Sequence, residues 1–110
     1  MGLRQSLFVG LCVATVTLRG CATMEPTPEA RAVRLVQERS FVATCRWVAE
    51  VKGGQYAPVI GAVAHTIENA RTRIREEAAQ KGANVVLVTQ RTENVYGTWM
   101  YGEAYACPDQ

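Results

Sequence analysis

The sequence is poor in the residues that bind metals and carry out redox chemistry. It contains one histidine, His65, and its four cysteines form no Cys-x-x-Cys motif. A zinc site needs three or four ligands, and dithiol redox sites normally use two cysteines at that spacing. We therefore predict no metal, no redox centre and no cofactor.

A catalytic constellation is missing as well. Glu76 and Glu77 are adjacent on a predicted helix, where successive side chains point about 100° apart. The only histidine that could act as a general base for Ser40 is His65, which is distant in the sequence. Glu103 has no predicted acidic neighbour with which to form a catalytic pair. The sequence therefore predicts a protein that is not an enzyme. A hydrolase is the alternative, and it would require a deep pocket that holds two carboxylates.

No apolar run is long enough to cross a membrane. The stretch from Leu7 to Leu18 would span about 18 Å as a helix, against roughly 30 Å for the hydrocarbon core of a bilayer. It follows Arg4 and precedes Gly20 and Cys21, a layout typical of an export signal. We therefore predict that residues 1–20 are a signal peptide that is removed.

The string Leu18-Arg19-Gly20-Cys21 resembles a lipobox, the cleavage and lipidation signal of bacterial lipoproteins. The resemblance implies that Cys21 carries the lipid. Two or three acyl chains at this residue would hold the protein stably at a membrane, whereas a single chain holds it only marginally. No aspartate follows Cys21, which by the same resemblance favours the inner leaflet of the outer membrane, facing the periplasm. Arg19 replaces the usual small or apolar residue. Cleavage before Thr23, which would release a soluble periplasmic protein, is therefore the alternative.

The mature chain also lacks an excess of charge of one sign. Two of the twelve basic residues, Arg4 and Arg19, lie in the predicted signal, which leaves ten basic and ten acidic residues. A neutral domain exerts no long-range attraction on phosphates, so we predict no nucleic-acid partner. Arg71, Arg73 and Arg75 are interleaved with glutamates, a pattern typical of a solvated helix face.

The exported part contains short strands on either side of one helix. Proline and small polar residues make 21–30 a predicted flexible tether, and residues 31–110 form one domain. Gly53-Gly54 marks a predicted loop, as do residues 92–97. Alternating or continuous apolar patterns predict four strands, at 33–37, 47–51, 84–89 and 98–107. The run within 84–89 is apolar throughout, which is typical of a central strand covered on both faces.

Between residues 62 and 81 the apolar period changes to three and four, which predicts a helix. Its apolar stripe is narrow and rich in alanine, so the helix can approach a sheet closely. Gly82 is a predicted left-handed cap that ends it. The sequence therefore predicts an α+β fold, with about four strands in ββαββ order and one long helix packed on the sheet.

Two cysteines remain once the signal is removed and Cys21 is lipidated. In an oxidising compartment Cys45 and Cys107 most simply form one disulfide, which would close the small domain. A metal or redox role for the pair is the alternative, but the chain offers no further ligands beyond His65 and no suitable cysteine spacing.

Several short strings together resemble a known family. They are the lipobox at Cys21, Cys45 to Val51, Ala78 to Val86, and Gly102 to Pro108. They resemble the lipoprotein family called domain of unknown function 4156, related in pattern to the Rcs-system outer-membrane stress-sensor lipoprotein. The resemblance implies an α+β domain with a disulfide between Cys45 and Cys107, and it implies no catalytic activity. That sensor uses four domain cysteines and this chain has two, so its signalling role is not carried over residue by residue.

The remaining candidate for function is an aromatic stretch near the C-terminus. Tyr96, Trp99 and Tyr101 could form a surface for a partner protein, because Tyr and Trp are enriched at interface hot spots. The alternative is that they pack on the sheet. We predict a non-enzymatic envelope lipoprotein, held at the membrane by its lipid, that binds an envelope protein as a sensor or assembly factor. An envelope hydrolase and a passive lipid-tethered domain are the alternatives.

Overall fold

The computed structural model describes residues 25–108. The predicted signal peptide at 1–20 and the predicted lipidation site Cys21 lie outside the described residues. The described elements are, in chain order, α1 (Pro28–Arg31), β1 (Arg34–Val36), a 3₁₀ turn (Arg39–Val42), β2 (Arg46–Tyr56), α2 (Thr66–Gln80), β3 (Val85–Asn94) and β4 (Gly97–Ala106).

The four strands form one mixed sheet in the spatial order β1-β3-β4-β2. β1 is parallel to β3, and β4 runs antiparallel to both β3 and β2. Because β1 and β3 are parallel neighbours, the chain must cross the sheet between them, and α2 lies on this connection. The predicted α+β class, the ββαββ order and the single long helix on the sheet are confirmed.

α2 packs on one face of the sheet through its predicted apolar stripe. Ala70, Ile74 and Ala78 are completely buried. They form one core with apolar side chains of the strands, among them Val51, Val86, Met100 and Ala104. Gly82 has a φ of 82°, so the predicted left-handed cap is confirmed.

A second, smaller core lies on the opposite face at one end of the sheet. It contains Val36, Val85, Leu87 and Tyr105 from the strands, and Val42 from the 3₁₀ turn covers them. The Cys45–Cys107 disulfide closes this core. β3 is therefore buried on both faces where it begins, as its continuous apolar run predicted. We call this end of the sheet the disulfide end.

β2 extends further than the sequence pattern predicted. Its predicted end is residue 51, yet the strand continues through Gly53 and Gly54 to Tyr56, so the predicted loop at Gly53-Gly54 is wrong. A Cβ atom on Gly53 would lie 2.5 Å from the backbone N of Ile74. A Cβ atom on Gly54 would collide with the indole of Trp99. Both glycines are therefore required by close packing within a strand and do not mark a turn.

The hairpin between β3 and β4 is tighter than the predicted loop at 92–97. β3 continues to Asn94 and β4 begins at Gly97, which leaves Val95 and Tyr96 as the turn. The Asn94 side-chain oxygen accepts a hydrogen bond from the Tyr96 backbone N–H at 2.8 Å. Gly97 has a φ of 146°, a conformation that favours glycine. We call this end of the sheet the hairpin end.

The first described residues are attached to the disulfide end. Thr27 caps α1 by accepting a hydrogen bond from the Ala30 N–H, and Ala30 is completely buried. Thr27 and Glu29 share a small cavity with Glu76, Ala79 and Gln80 of α2. A helical turn therefore begins within 21–30, the range assigned to the tether, and it holds the chain against the C-terminal half of α2.

Candidate interaction surface

The structure brings two of the three predicted surface aromatics onto one strand face. Trp99 and Tyr101 lie on the face of β4 that points away from α2, since their neighbours Thr98 and Met100 are buried under the helix. Tyr101 is exposed and Trp99 is half-buried. Tyr96 lies in the hairpin turn, where 56% of it is exposed. Tyr96 therefore lies at the hairpin end, whereas Trp99 and Tyr101 follow further along β4, and the three predicted residues do not form one continuous stripe.

Tyr56 joins these aromatics, although the sequence pattern did not predict it. It is the last residue of β2 and packs edge-on against Trp99, with ring centroids 5.1 Å apart. Gly54 is opposite Trp99 in the strand register and leaves the space that the indole occupies. Trp99 thus packs on β2, as the alternative interpretation of this residue expected, while the ring of Tyr56 is exposed.

The loop between β2 and α2 adds further apolar side chains at the same end. Two backbone hydrogen bonds of 2.8 Å, from the Ala57 N–H to Tyr96 O and from the Gly61 N–H to Val95 O, hold this loop against the hairpin turn. The members of the resulting cluster are apolar or aromatic and exposed: Tyr56, Val59, Ile60, Val95 and Tyr96. We call this cluster the hairpin-end surface.

A hollow of about 460 Å³ opens beside the hairpin-end surface. Its lining is largely apolar and includes Gly61, Val63, Ile67 and Val95. Beneath it, the Thr66 hydroxyl donates to the Val63 carbonyl at 2.8 Å and lies 2.9 Å from the Thr98 hydroxyl. Since one hydroxyl has one proton, Thr98 is the donor to Thr66. This buried pair fixes the start of α2 against β4.

An ion-pair network at the disulfide end connects the 3₁₀ turn to β4. Both terminal guanidinium nitrogens of Arg39 donate to the Glu103 carboxylate, at 3.3 and 3.2 Å. The Tyr105 hydroxyl donates to the same carboxylate at 2.6 Å. The bonds from Arg39 and then from Tyr105 lower the pKa of Glu103. Hydrogen bonding to Glu103, followed by burial, raises the pKa of Tyr105.

These two pKa shifts predict how stability depends on pH. Because the pKa of Glu103 is lower in the folded state, its carboxylate stabilises the fold at pH values above its unfolded-state pKa. This contribution is lost as the pH falls through the folded-state pKa. Because the pKa of Tyr105 is higher in the folded state, its protonated hydroxyl stabilises the fold at pH values below its unfolded-state pKa. This contribution is lost as the pH rises through the folded-state pKa. The network should therefore contribute most between about pH 5 and 10.

We expect Glu103→Gln to lower the free energy of unfolding by about 1 kcal/mol or less in that window, because Arg39 is largely exposed. Below about pH 4 the difference from the native chain should shrink. Urea unfolding over a pH series measures both. Glu93→Gln, which removes an exposed carboxylate paired with Arg91, is the control for a lost charge. A difference that stays constant from acid to neutral pH would exclude the network as its cause.

The residues that were weighed for catalysis lie apart. Ser40 is exposed in the 3₁₀ turn at the disulfide end, whereas His65 is exposed immediately before α2 at the hairpin end. Glu77 accepts hydrogen bonds from the Lys52 backbone N–H at 3.2 Å and from the Lys81 ammonium at 3.1 Å. It therefore caps the free edge of β2 and braces the end of α2.

The described residues contain neither a cluster of metal ligands nor a helix that could span a membrane. Among residues 25–108, no three side chains of His, Cys, Asp or Glu lie close enough together to hold a metal ion. Within the same range, the helices are too short or too polar to span a bilayer.

Comparison with known proteins gives one match. The family model described as a domain of unknown function, DUF4156, matches residues 24–107, which is most of the chain. The chain belongs to this family. No curated protein and no solved structure matches it. The match begins before α1 and ends on Cys107, so the DUF4156 domain includes both disulfide cysteines and the whole hairpin-end surface.

Proposed function

We propose that this DUF4156 protein is a bacterial envelope lipoprotein, anchored through Cys21, whose domain binds an envelope protein and catalyses no reaction. The export pattern of residues 1–20 and the lipobox pattern at Cys21 support the anchor. The inner leaflet of the outer membrane is the proposed location, and it rests on the same sequence pattern.

The observation that carries the binding role is the hairpin-end surface. Its five apolar side chains come from two separate segments, the end of β2 with the loop that follows it and the hairpin turn, and backbone hydrogen bonds hold these segments together. A cluster of exposed apolar groups is costly to keep in water and typically marks an interaction site. Tyrosine suits such a site because its rigid ring buries a large area while its hydroxyl stays solvated.

The placement of this surface favours a protein partner over the anchoring membrane. The chain enters the domain at α1, beside the C-terminal half of α2, whereas the hairpin-end surface adjoins the N-terminus of α2. The 15 residues of α2 put about 22 Å between the two ends. A domain suspended from Cys21 would therefore present this surface away from its own lipid.

The resemblance in pattern to the Rcs-system stress sensor supports a finer proposal, namely that binding serves sensing or assembly in the envelope. The supporting observation is the order of the short strings around Cys45, Gly82 and Cys107. No residue role is transferred, because the second disulfide of that sensor has no counterpart among the cysteines of this chain.

Site-specific photocrosslinking in intact cells tests the proposal. Benzoylphenylalanine at Tyr96 should form a discrete adduct with an envelope protein. The matched control is Phe41, an aromatic residue with the same 56% exposure that lies in the 3₁₀ turn at the opposite end. Phe41 should give no such adduct. Ile60→Asp should reduce the Tyr96 adduct by about tenfold or more, because it places a charge within the surface.

Three results would contradict the proposal. Equal adducts from Tyr96 and Phe41 would indicate random encounters, and the absence of an adduct from Tyr96 would favour a passive tethered domain. Mass spectrometry of the purified N-terminus tests the anchor separately. A lipid-modified Cys21 is expected, and a free Thr23 would instead mean a soluble periplasmic protein.

A further inference from the structure

A cleft of about 680 Å³ lies beside α2, at the edge of the sheet formed by β1 and β3. It exists because α2 packs mainly over β2 and β4 and contacts β3 at few positions. Its apolar floor is formed by Leu35, Val88 and Met100. This cleft is on the α2 face of the sheet, whereas Trp99 and Tyr101 of the aromatic group are on the other face.

The walls of the cleft carry an excess of positive charge. Arg71 and Arg75, one helical turn apart on α2, face Arg91 of β3 across it, and Glu68 is the acidic residue that lines it. Arg71 is paired with Glu68, and Arg91 is paired with Glu93. Three guanidinium groups thus converge where the domain as a whole is close to neutral, and an anion is the complementary ligand.

Arg75 gives the second indication of a ligand. Its Nε atom is inaccessible to solvent and, among the described residues, has no hydrogen-bond partner. A buried N–H group without an acceptor is unfavourable, more so when it belongs to a charged group. Nε itself lies too deep for a ligand to contact, but Arg75 lines the cleft and, among residues 25–108, forms no ion pair. A carboxylate in the cleft would supply the missing partner of this guanidinium group, because guanidinium groups bind carboxylates through paired hydrogen bonds.

The backbone beside the cleft is also incompletely paired. β1 is short and pairs with Val85, Val86 and Leu87, whereas β3 continues to Asn94. From Val88 onward β3 has β4 on one side and, within residues 25–108, no strand on the other. An open strand edge offers N–H and C=O groups to an incoming extended segment.

We propose that this cleft binds an extended acidic segment of a partner protein, which lies along the open edge of β3 and places its carboxylates on Arg71, Arg75 and Arg91. The strand edge favours a peptide over a free anion or a lipid headgroup, since those offer no backbone to pair with it. The apolar floor receives the side chains that alternate with the acidic ones. The site is independent of the hairpin-end surface and adds a second recognition element.

Peptide binding to the purified full-length protein tests the proposal. The probe is a fluorescent peptide of about eight residues, enough to cover the open edge, in which glutamate alternates with valine or threonine. Fluorescence anisotropy should show binding that weakens with salt. The version of the peptide with glutamine in place of glutamate should bind at least about tenfold more weakly. Binding of both peptides with equal affinity, or of neither, overturns the proposal.

The chain offers a matched control for charge. Arg75→Gln should weaken binding by about tenfold or more, because it removes the unpaired guanidinium group that lines the cleft. Arg73→Gln removes the same charge from α2, but Arg73 lies on another side of the helix and bonds Gln55 at 3.3 Å. It should change the affinity by less than about twofold. Equal losses in both variants would mean a general attraction between charges and would overturn the site.

Three further measurements separate other occupants. Inorganic phosphate that displaces the peptide completely, with no dependence of affinity on peptide length, would mean a free-anion site. Vesicles of anionic lipid that bind in an Arg75-dependent manner, while the peptide does not, would assign the cleft to a membrane. A concentration-dependent dimer that Arg75→Gln abolishes would assign it to a second copy. Each of these results overturns the peptide proposal.

The Tm of Arg75→Met distinguishes a binding role of Arg75 from a structural role. A structural role predicts that Tm falls, whereas the binding proposal predicts that it does not. If Nε lacks a partner in the free protein, its removal should leave Tm unchanged or raise it by about 2–5 °C while peptide binding is lost. A fall in Tm of similar size would show that Arg75 is structurally paired, which contradicts the proposal. Failure of the peptide assay leaves the Tyr96 crosslinking result intact, so the two proposals fail separately.

Discussion

Reduction of the Cys45–Cys107 disulfide is expected to lower Tm by roughly 15–30 °C. The bond joins residues 62 positions apart, and the chain-entropy model assigns about 4 kcal/mol to a loop of this length. A domain of this size has a net stability of only about 5–10 kcal/mol. The bond also closes the smaller core, where Val42, Val85 and Tyr105 depend on the position of the 3₁₀ turn.

Thermal unfolding of the native protein with and without dithiothreitol measures this effect. The double variant Cys45→Ala, Cys107→Ala should melt near the reduced protein, and dithiothreitol should not change its Tm further. That insensitivity is the control for effects of the reductant elsewhere in the chain. If oxidised and reduced native protein melt together, the bond does not stabilise the domain. The same measurement bears on the proposed location, because only an oxidising compartment would maintain this contribution.

The sequence pattern predicted the elements that depend on local periodicity. The order of strands and helix, the capping role of Gly82 and the burial of Val85–Leu87 follow from the apolar period and from turn chemistry, and the structure agrees. Val88, the last residue of the predicted buried run, is only partly buried. The pairing of Cys45 with Cys107 was also predictable, because the predicted removal of the signal and lipidation of Cys21 leave two cysteines, and the family resemblance implied the same bond.

Features that depend on tertiary contact were not predictable. Gly53-Gly54 looks like a loop in the sequence, and only the approach of α2 to Gly53 and of Trp99 to Gly54 explains why both belong to β2. Because β2 was predicted to end early, Tyr56 could not be placed beside Trp99. The predicted surface residues include Tyr96 of the proposed surface, but the prediction lacked Tyr56 and the residues that the β2–α2 loop contributes.

The arginines of α2 illustrate a second kind of limit. As a group they were interpreted as a solvated helix face, which fits Arg73 because it is exposed and bonds Gln55. Arg71 and Arg75 lie on another side of the helix and line a cleft. The helical period separates the two sides, but only the lateral position of α2 on the sheet determines that one side faces a groove.

Gly53→Ala is expected to lower the free energy of unfolding by about 3 kcal/mol, at the upper end of the usual range for overpacking. The added methyl group would lie 2.5 Å from the backbone N of Ile74 and 2.6 Å from the backbone O of Ala70. No side-chain rotation relieves such contacts, so α2 must move away from the sheet. The gain from a less flexible unfolded chain is about 0.4–1 kcal/mol and only partly offsets this cost.

Two other glycines separate close packing from backbone strain. Gly82→Ala meets open space but keeps a φ of 82°, so it should cost about 1–2 kcal/mol from conformation alone. Gly54→Ala meets the Trp99 side chain, which can move; it should cost less than Gly53→Ala and should shift Trp99 fluorescence. Urea unfolding of the three variants gives the comparison. If Gly53→Ala proves the least destabilising, α2 does not rest on β2 as closely as described. The close approach of α2 to the sheet would then no longer explain why Ala70 and Ala78 are small.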